Sequence, residues 1–296
     1  MRYKKIWFAI SGSLVLISIL ALLFWHLRLG LDFTGGVIVE IKTQKKAQVE
    51  AIRDILKSKQ IEGVVSGTEG DKFIIRTKEM SKEKKEDFYK SVSEKYGKVE
   101  ELSFRSVGPT ISKDLTRKSF LAVIVASLVI IFYVAYAFRK VSKQISSWKF
   151  GLGAIVALIH DALIVIGLFA FLGKFLKVEA DSLFVTAVLT VISFSVHDTI
   201  VIYDRIRENL KKLADNDLDK VADQSITEMM PRDIATSFVI ILVLLALYLF
   251  GGETTHYFAL AILVGMIVGT YSSIFVASTL AVGWQKWSDR RAKEVK

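Results

Sequence analysis

Six apolar stretches constrain what this chain can fold into, because each is long enough to cross a ~30 Å hydrocarbon core as a helix. The chain has 296 residues, of which 52% are hydrophobic, an apolar share that a soluble domain of this length does not usually have. These features predict a polytopic α-helical membrane protein with six transmembrane helices. The stretches cover approximately residues 6–27, 120–138, 150–172, 182–203, 234–250 and 256–284.

Basic residues are concentrated in alternate connections, and this predicts the orientation of the helices. Short loops rich in Lys and Arg stay in the cytoplasm, so both termini are expected there. The net charge of +10 therefore indicates membrane topology rather than nucleic-acid binding. The first stretch is too long for a signal peptide and lacks a small-residue cleavage site, so it is interpreted as an uncleaved anchor. The basic residues are Arg139, Lys140, Lys143 and Lys149, then Arg205, Arg207, Lys211, Lys212, Lys220 and Arg232, and finally Lys286, Arg290, Arg291, Lys293 and Lys296.

The long connection between the first two helices has the pattern of a small folded domain. Alternating apolar residues predict strands in GGVIVEIKT, DKFIIRT and KVEELSFRSV, with a weaker strand near residues 61–66. Apolar residues at helical spacing predict helices in AQVEAIRDILKSK and SKEKKEDFYKSVSEKYG. The order β-α-β-β-α-β predicts a ferredoxin-like α+β domain on the extracytoplasmic side. The predicted organisation is a cytoplasmic N-terminus with the first helix (1–28), this domain (29–117), five further helices (118–285) and a basic cytoplasmic tail (286–296).

An acid lies inside the fourth apolar stretch, where a charge costs ~2.5–3.5 kcal/mol on insertion scales. This acid is Asp198, and it is kept either to hold helices together or to handle an ion or proton. His197 is the residue before Asp198, and neighbouring residues point about 100° apart around a helix, so we expect the two not to share a face. The imidazole of His197 either contacts another helix or adds a second titrating group. Arg232 follows Pro231 near the predicted start of the fifth helix, either as a counter-charge for Asp198 or as an ordinary basic anchor.

Two further pairs lie within the apolar stretches. His160 and Asp161 fall near the centre of the third stretch and form either part of a proton relay or a helix-packing hydrogen bond. A His-Asp pair also occurs in metal-dependent hydrolases, but no other ligand is spaced to complete a metal site. Gly265 and Gly269 form a GxxxG motif in the sixth stretch, which predicts close helix packing.

Four motifs occur in an order that is typical of one family. They are LGLDFTGG (29–36), SVGPTIS (106–112), HDTIVIYDRIREN (197–209) and LFGGETTHYFALAILVGMIVGTYSSIFVAS (249–278). With these motifs the chain resembles the SecF family, the smaller partner in the SecD–SecF accessory complex of the bacterial Sec protein translocase. The resemblance covers almost the whole chain. One departure is His197, where the family more often has Asn.

The resemblance implies a function in protein export across the bacterial inner membrane, driven by the proton-motive force in its late steps. It implies that Asp198 conducts protons with Arg232 nearby. Asp161 and His197 are further proton-conduction candidates because of their position in the apolar stretches. The implied partners are SecD as an obligate subunit, the SecYEG translocon, the unfolded translocating polypeptide and membrane lipid. SecD is expected because related resistance-nodulation-division transporters have twelve spans in two halves. No cofactor, metal site or enzymatic activity is expected.

Two alternatives remain at the level of the sequence. The chain is alternatively half of a proton-driven exporter of small molecules or lipids, built on the same helical bundle. An intramembrane hydrolase is a weaker alternative, since the sequence offers no nucleophile and base at matching depth.

Overall fold

The structure, a computed structural model, describes residues 4–68, 70–137, 147–212 and 217–294. It contains two compact units: Met1–Arg28 together with Leu121–Lys296 form one, and Leu29–Phe120 form the other. Part of the predicted basic loop between the second and third spans, and the end of the basic tail, lie outside the described residues. The basic residues concerned are Arg139, Lys140, Lys143 and Lys296.

In the part of the chain that the structure describes, strands occur only between the helix Lys4–Trp25 and the helix Pro109–Ala137. All other elements are helical, including a π-helical turn in the last transmembrane segment. In chain order the elements are α1 (Lys4–Trp25), α2 (Leu31–Thr34), β1 (Gly36–Thr43), α3 (Val49–Ser58), β2 (Gly63–Thr68), β3 (Lys72–Thr77), α4 (Lys82–Tyr96), β4 (Val99–Val107), α5 (Pro109–Ala137), α6 (Ser147–Phe175), α7 (Ser182–Lys212), α8 (Leu218–Phe250), α9 (Glu253–Ser272), the π-helical turn (Ser273–Ala277) and α10 (Ser278–Glu294).

Within the described ranges, six helical segments are long and apolar enough to cross a membrane, which confirms the predicted count. They are α1, α5, α6, α7, α8 and the continuous run from α9 through the π-helical turn into α10. Helices α6, α7 and α9 pack against one another and supply much of the buried core. Helices α1, α5 and α8 expose large apolar side chains, among them Ile17, Phe132 and Val243. The chain is therefore a multi-pass membrane protein with a three-helix centre.

Helix α8 begins well before the predicted start of the fifth span. Asp217 caps it by accepting a hydrogen bond from the backbone N–H of Asp219 at 3.1 Å. The first turns bury Leu218, Val221, Ala222 and Ser225, at positions i, i+3, i+4 and i+7 of one helical face. The prediction that Pro231 lies near a helix start is therefore wrong, because the polar first half of α8 is amphipathic rather than a loop. Pro231 lies inside the helix.

The unit Leu29–Phe120 holds a four-stranded antiparallel sheet with the order β2-β3-β1-β4. The predicted sequence of elements, β-α-β-β-α-β, is the one observed after α2. Helices α3 and α4 contribute Ile52, Leu56 and Phe88 to a core with Val39 and Ile75 of the sheet, and all five side chains are fully buried. This core gives the unit its own hydrophobic interior.

Two adjacent glycines join the short helix α2 to strand β1. Gly35 has φ +68° and Gly36 has φ +118°, both in a region that L side chains rarely adopt. A Cβ on Gly36 would lie 2.6 Å from the backbone oxygen of Thr77 on β3. The turn therefore requires glycine at both positions.

Candidate functional site

Asp198 lies on α7 with a side chain that is 13% exposed. Nδ1 of His197 lies 3.3 Å from Oδ1 of Asp198. The expectation that His197 cannot share a face with Asp198 is therefore wrong. The angle between neighbouring Cα–Cβ directions is large, but the imidazole is long enough to turn back to the neighbouring carboxylate. The His197 ring itself is largely exposed.

Arg232 on α8 makes its direct contact with the next residue in the chain. Its Nη2 donates to Oδ1 of Asp233 at 3.1 Å, and its Nε lies 3.3 Å from the same oxygen. Asp198 is close enough to interact electrostatically with Arg232, but the described residues show no hydrogen bond between them. The structure thus places Arg232 near Asp198 but bonds it to Asp233.

Asp233 is a member of this cluster that the sequence reasoning missed. Its side chain is only 4% exposed, and it interacts electrostatically with Asp198 and His197. Its second oxygen, Oδ2, is buried without a hydrogen-bond partner among the described residues. Asp233 directly follows Arg232 and precedes the apolar run that the sequence predicts to begin at residue 234. Because it lies one residue outside that predicted span, the sequence pattern does not single it out. We call His197, Asp198, Arg232 and Asp233 the α7–α8 cluster.

Asp161 on α6 is fully buried and lies in a second polar group. The hydroxyls of Ser195 on α7 and Ser272 on α9 both donate to Oδ2 of Asp161, the latter at 2.7 Å. His160 Nδ1 lies 2.8 Å from Oδ1, while its Nε2 is buried without a partner in the described part of the chain. Asp161 therefore joins α6, α7 and α9 through hydrogen bonds, as expected if the pair serves helix packing. A role of Asp161 in a proton relay stays a prediction.

A stripe of polar side chains on α7 runs along the π-helical turn. Thr199 Oγ1 lies 2.9 Å from the hydroxyl of Ser273, and Tyr203 donates to the backbone oxygen of Ala277 at 3.0 Å. Ser278 donates to the backbone oxygen of Ser273 at 2.9 Å. A π-helical turn has irregular backbone hydrogen bonding. Tyr203 and Ser278 bond to backbone oxygens of this turn, and Thr199 bonds to a side chain of it. The last span is therefore fastened to α7 where its own helix is irregular.

The two glycines of the GxxxG motif lie at this same contact between α7 and α9. A Cβ on Gly265 would overlap the side chain of Val191. A Cβ on Gly269 would lie 3.3 Å from Cβ of Ser195. The predicted close packing is therefore found inside the bundle, and it brings α9 near enough for Ser272 to reach Asp161.

The exit of α7 carries an ionic contact with α8. Glu228 accepts hydrogen bonds from Nε of Arg205 at 2.5 Å and from Nδ2 of Asn209 at 3.0 Å. Asn209 is buried and also donates to Ser225 at 2.9 Å. In the sequence these charged and polar residues fit the solvated end of a helix. The structure shows that they also join α7 to α8.

A cavity of about 490 Å³ lies beside this contact and reaches Arg232. Its wall combines apolar groups of α5, α7 and α8 with charged groups of α7. Among the described residues no group of three or more His, Cys, Asp or Glu side chains is arranged to hold a metal ion. The arrangement suits charge and proton handling next to a polar cavity. The charged lining residues are Asp204, Arg205, Arg207, Glu208 and Arg232.

Comparison with known proteins is consistent along the whole chain. The family model described as protein export membrane protein SecD/SecF, C-terminal, matches residues 87–287, and the SecD/SecF GG motif matches residues 26–47. The protein translocase subunit SecF of Thermobaculum terrenum is 40% identical over 96% of this chain and 93% of that protein. The SecF subunit of Synechocystis is 37% identical over 97% of this chain and 94% of that protein.

A solved structure shares the fold. The crystal structure of SecDF from Thermus thermophilus, described as a translocon-associated membrane protein, superposes with a TM-score of 0.80 and 31% identity. The match covers 97% of this chain but only 39% of that longer chain. By its near full-length similarity to SecF subunits and by the family model, the chain belongs to the SecF family of protein-export membrane proteins.

Proposed function

We propose that this chain is an accessory subunit of the Sec protein translocase that uses the proton-motive force to promote late steps of protein export. The observation that carries the proposal is the α7–α8 cluster, in which Asp198 and Asp233 are held with Arg232 next to the apolar segments of α7 and α8. Ionisable groups at such depth are expensive and usually serve transport. We propose transport rather than catalysis, because the cluster supplies charge and exchangeable protons but no activated nucleophile.

The partner that we propose is SecD. The family model covers both SecD and SecF, and the matched SecDF structure, of which this chain covers 39%, supports this partner. The outward apolar side chains of α1, α5 and α8 offer surfaces for that partner and for lipid. We further propose contact with SecYEG and with unfolded polypeptide, both termini in the cytoplasm, and the unit Leu29–Phe120 on the outer face of the bacterial inner membrane.

The proposed mechanism begins with a change of charge between α7 and α8. Adding a proton to the α7–α8 cluster removes a negative charge, which weakens its attraction to Arg232 and lets the two helices move apart. One proton that crosses ~100 mV releases about 2.3 kcal/mol. This free energy is enough to shift a balanced two-state equilibrium by roughly fifty-fold.

The test replaces Asp198 by Asn and by Glu in cells that depend on this chain. We expect Asp198→Asn to accumulate unexported precursor and Asp198→Glu to restore part of the export, because Glu keeps a titratable group. Small-molecule efflux is followed in the same cells. Normal export combined with lost efflux would reject the translocase function and support the alternative of an exporter half.

A further inference from the structure

The α7–α8 cluster contains one more carboxylate than its arginine can neutralise. Asp198 comes from α7, while Arg232 and Asp233 come from α8. With His197 neutral, two carboxylates and one guanidinium have a net charge of −1. Asp233 is 4% exposed and Asp198 is 13% exposed, so water cannot fully compensate that charge. A single proton on either carboxyl group brings the three side chains to neutrality.

The hydrogen bonds leave room for that proton. Oδ1 of Asp233 accepts from Arg232, but its buried Oδ2 has no partner among the described residues. A buried carboxylate oxygen without a donor is costly, whereas a protonated carboxyl group or a proton shared with a neighbour removes the cost. Asp198 lies close enough to Asp233 for their charges to interact.

We propose that Asp233 and Asp198 form a carboxyl pair that holds one proton and shares the guanidinium of Arg232. In one form of the pair, Arg232 bonds Asp233, as observed, and the proton is held by Asp198. When the proton moves to Asp233, Arg232 turns to the Asp198 carboxylate. The guanidinium is 54% exposed at the cavity wall, so it has space for this turn.

Among the described residues, His197 of α7 also interacts with Asp233 electrostatically. Helix α9 contributes neutral hydroxyls: Thr270 lies 2.7 Å from Ser237, one turn after Asp233. The link from this pair to export rests on the proposed function, but the existence of the pair does not.

The experiment measures the infrared absorption of protonated carboxyl groups in the full-length chain in lipid bilayers at neutral pH. Spectra are compared for wild type, Asp198→Asn, Asp233→Asn, the double variant and Arg232→Gln. We expect each single Asp variant to lose one protonated carboxyl group, because the remaining carboxylate then pairs with Arg232. The double Asp variant should lose no more protonated carboxyl groups than either single variant. The Arg232→Gln variant should gain about one protonated carboxyl group.

Asp161→Asn serves as the control, because Asp161 is the other deeply buried acid and its contribution must be subtracted. Asp233→Glu keeps the carboxyl group and should retain the wild-type band, which separates loss of the proton from loss of folding. An undiminished infrared band of protonated carboxyl groups in Asp233→Asn would overturn the proposed carboxyl pair. The absence of such a band from either acid in wild type would also overturn it. Parallel export assays of Asp198→Asn test the proposed function separately: normal export with the predicted bands would reject that function and keep the pair.

Discussion

Arg232 donates to the carboxylate of its neighbour Asp233, with Nη2 3.1 Å from Oδ1. The contact matters because Arg232 also interacts electrostatically with Asp198. One guanidinium therefore interacts with two acids on different helices. In the proposed function, the protonation of Asp198 and the position of Arg232 depend on each other.

Replacing Ser272 by Ala should destabilise the helical bundle. The Ser272 hydroxyl donates to Asp161, which is fully buried and cannot recover the lost bond from water. A buried acceptor that loses its donor costs about 1–3 kcal/mol, and we expect a loss of that size in the free energy of unfolding. Thermal unfolding in detergent measures it. Thr186→Ala is the matched control, since this exposed hydroxyl bonds only the Ser182 carbonyl of its own helix; equal losses in both variants would contradict the role of Asp161.

Gly265→Ala should separate α9 from α7. Its Cβ would overlap Val191, and an overpacked core contact costs about 1–3 kcal/mol. Gly12→Ala on α1 is the control, because its Cβ has nothing within 4 Å and alanine favours the helix by up to ~1 kcal/mol. We expect the first variant to melt at a lower temperature than wild type and the second to melt at the same or a higher one. An unchanged melting temperature in Gly265→Ala would show that α7 and α9 are not in close contact at this position.

Glu101 should give the sheet unit a pH-dependent stability. Lys85 at 2.7 Å and the Tyr89 hydroxyl at 2.5 Å bond its carboxylate, and these bonds lower the pKa of Glu101. A lowered folded-state pKa stabilises the fold above the pKa of the unfolded chain, and this contribution disappears as the pH falls through the folded-state value. The pair is partly exposed, so it contributes at most ~1 kcal/mol.

The measurement compares amide hydrogen exchange of α4 and β4 in the full chain with that of Glu101→Gln. We expect faster exchange in the variant at neutral pH and equal rates, at matched pH, once Glu101 is protonated. Glu100→Gln is the control on the same strand. A difference between wild type and Glu101→Gln that persists at low pH would mean that charge is not the cause.

The helices of the membrane unit were predictable because hydropathy depends on composition over about twenty residues. The six spans and the strand and helix order of the second unit follow from that signal and from periodicity. The start of α8 at Leu218 does not follow from these signals, because its first turns bury only a narrow apolar stripe. A window of average hydropathy cannot separate such an amphipathic turn from a loop.

The candidate site was only partly predictable, for a different reason. Asp198, Asp161 and Arg232 stand out because charges are rare in apolar runs. The structure places Asp161 at a contact between helices, and Asp198 on α7 interacts electrostatically with Arg232 on α8. Ser195 and Ser272 carry no such signal, since serine is common in membrane helices and becomes informative only when a carboxylate lies opposite. The bonding of Arg232 to Asp233 depends on side-chain conformation, which the sequence does not encode by spacing.

The most direct test of the central claim is the response of export to an imposed proton gradient in vesicles that contain this chain with SecD and SecYEG. The account predicts that wild type and the exposed-acid control Asp114→Asn export more precursor when the gradient is applied, whereas Asp198→Asn exports only the amount seen without a gradient. An undiminished gradient response in Asp198→Asn would contradict the account.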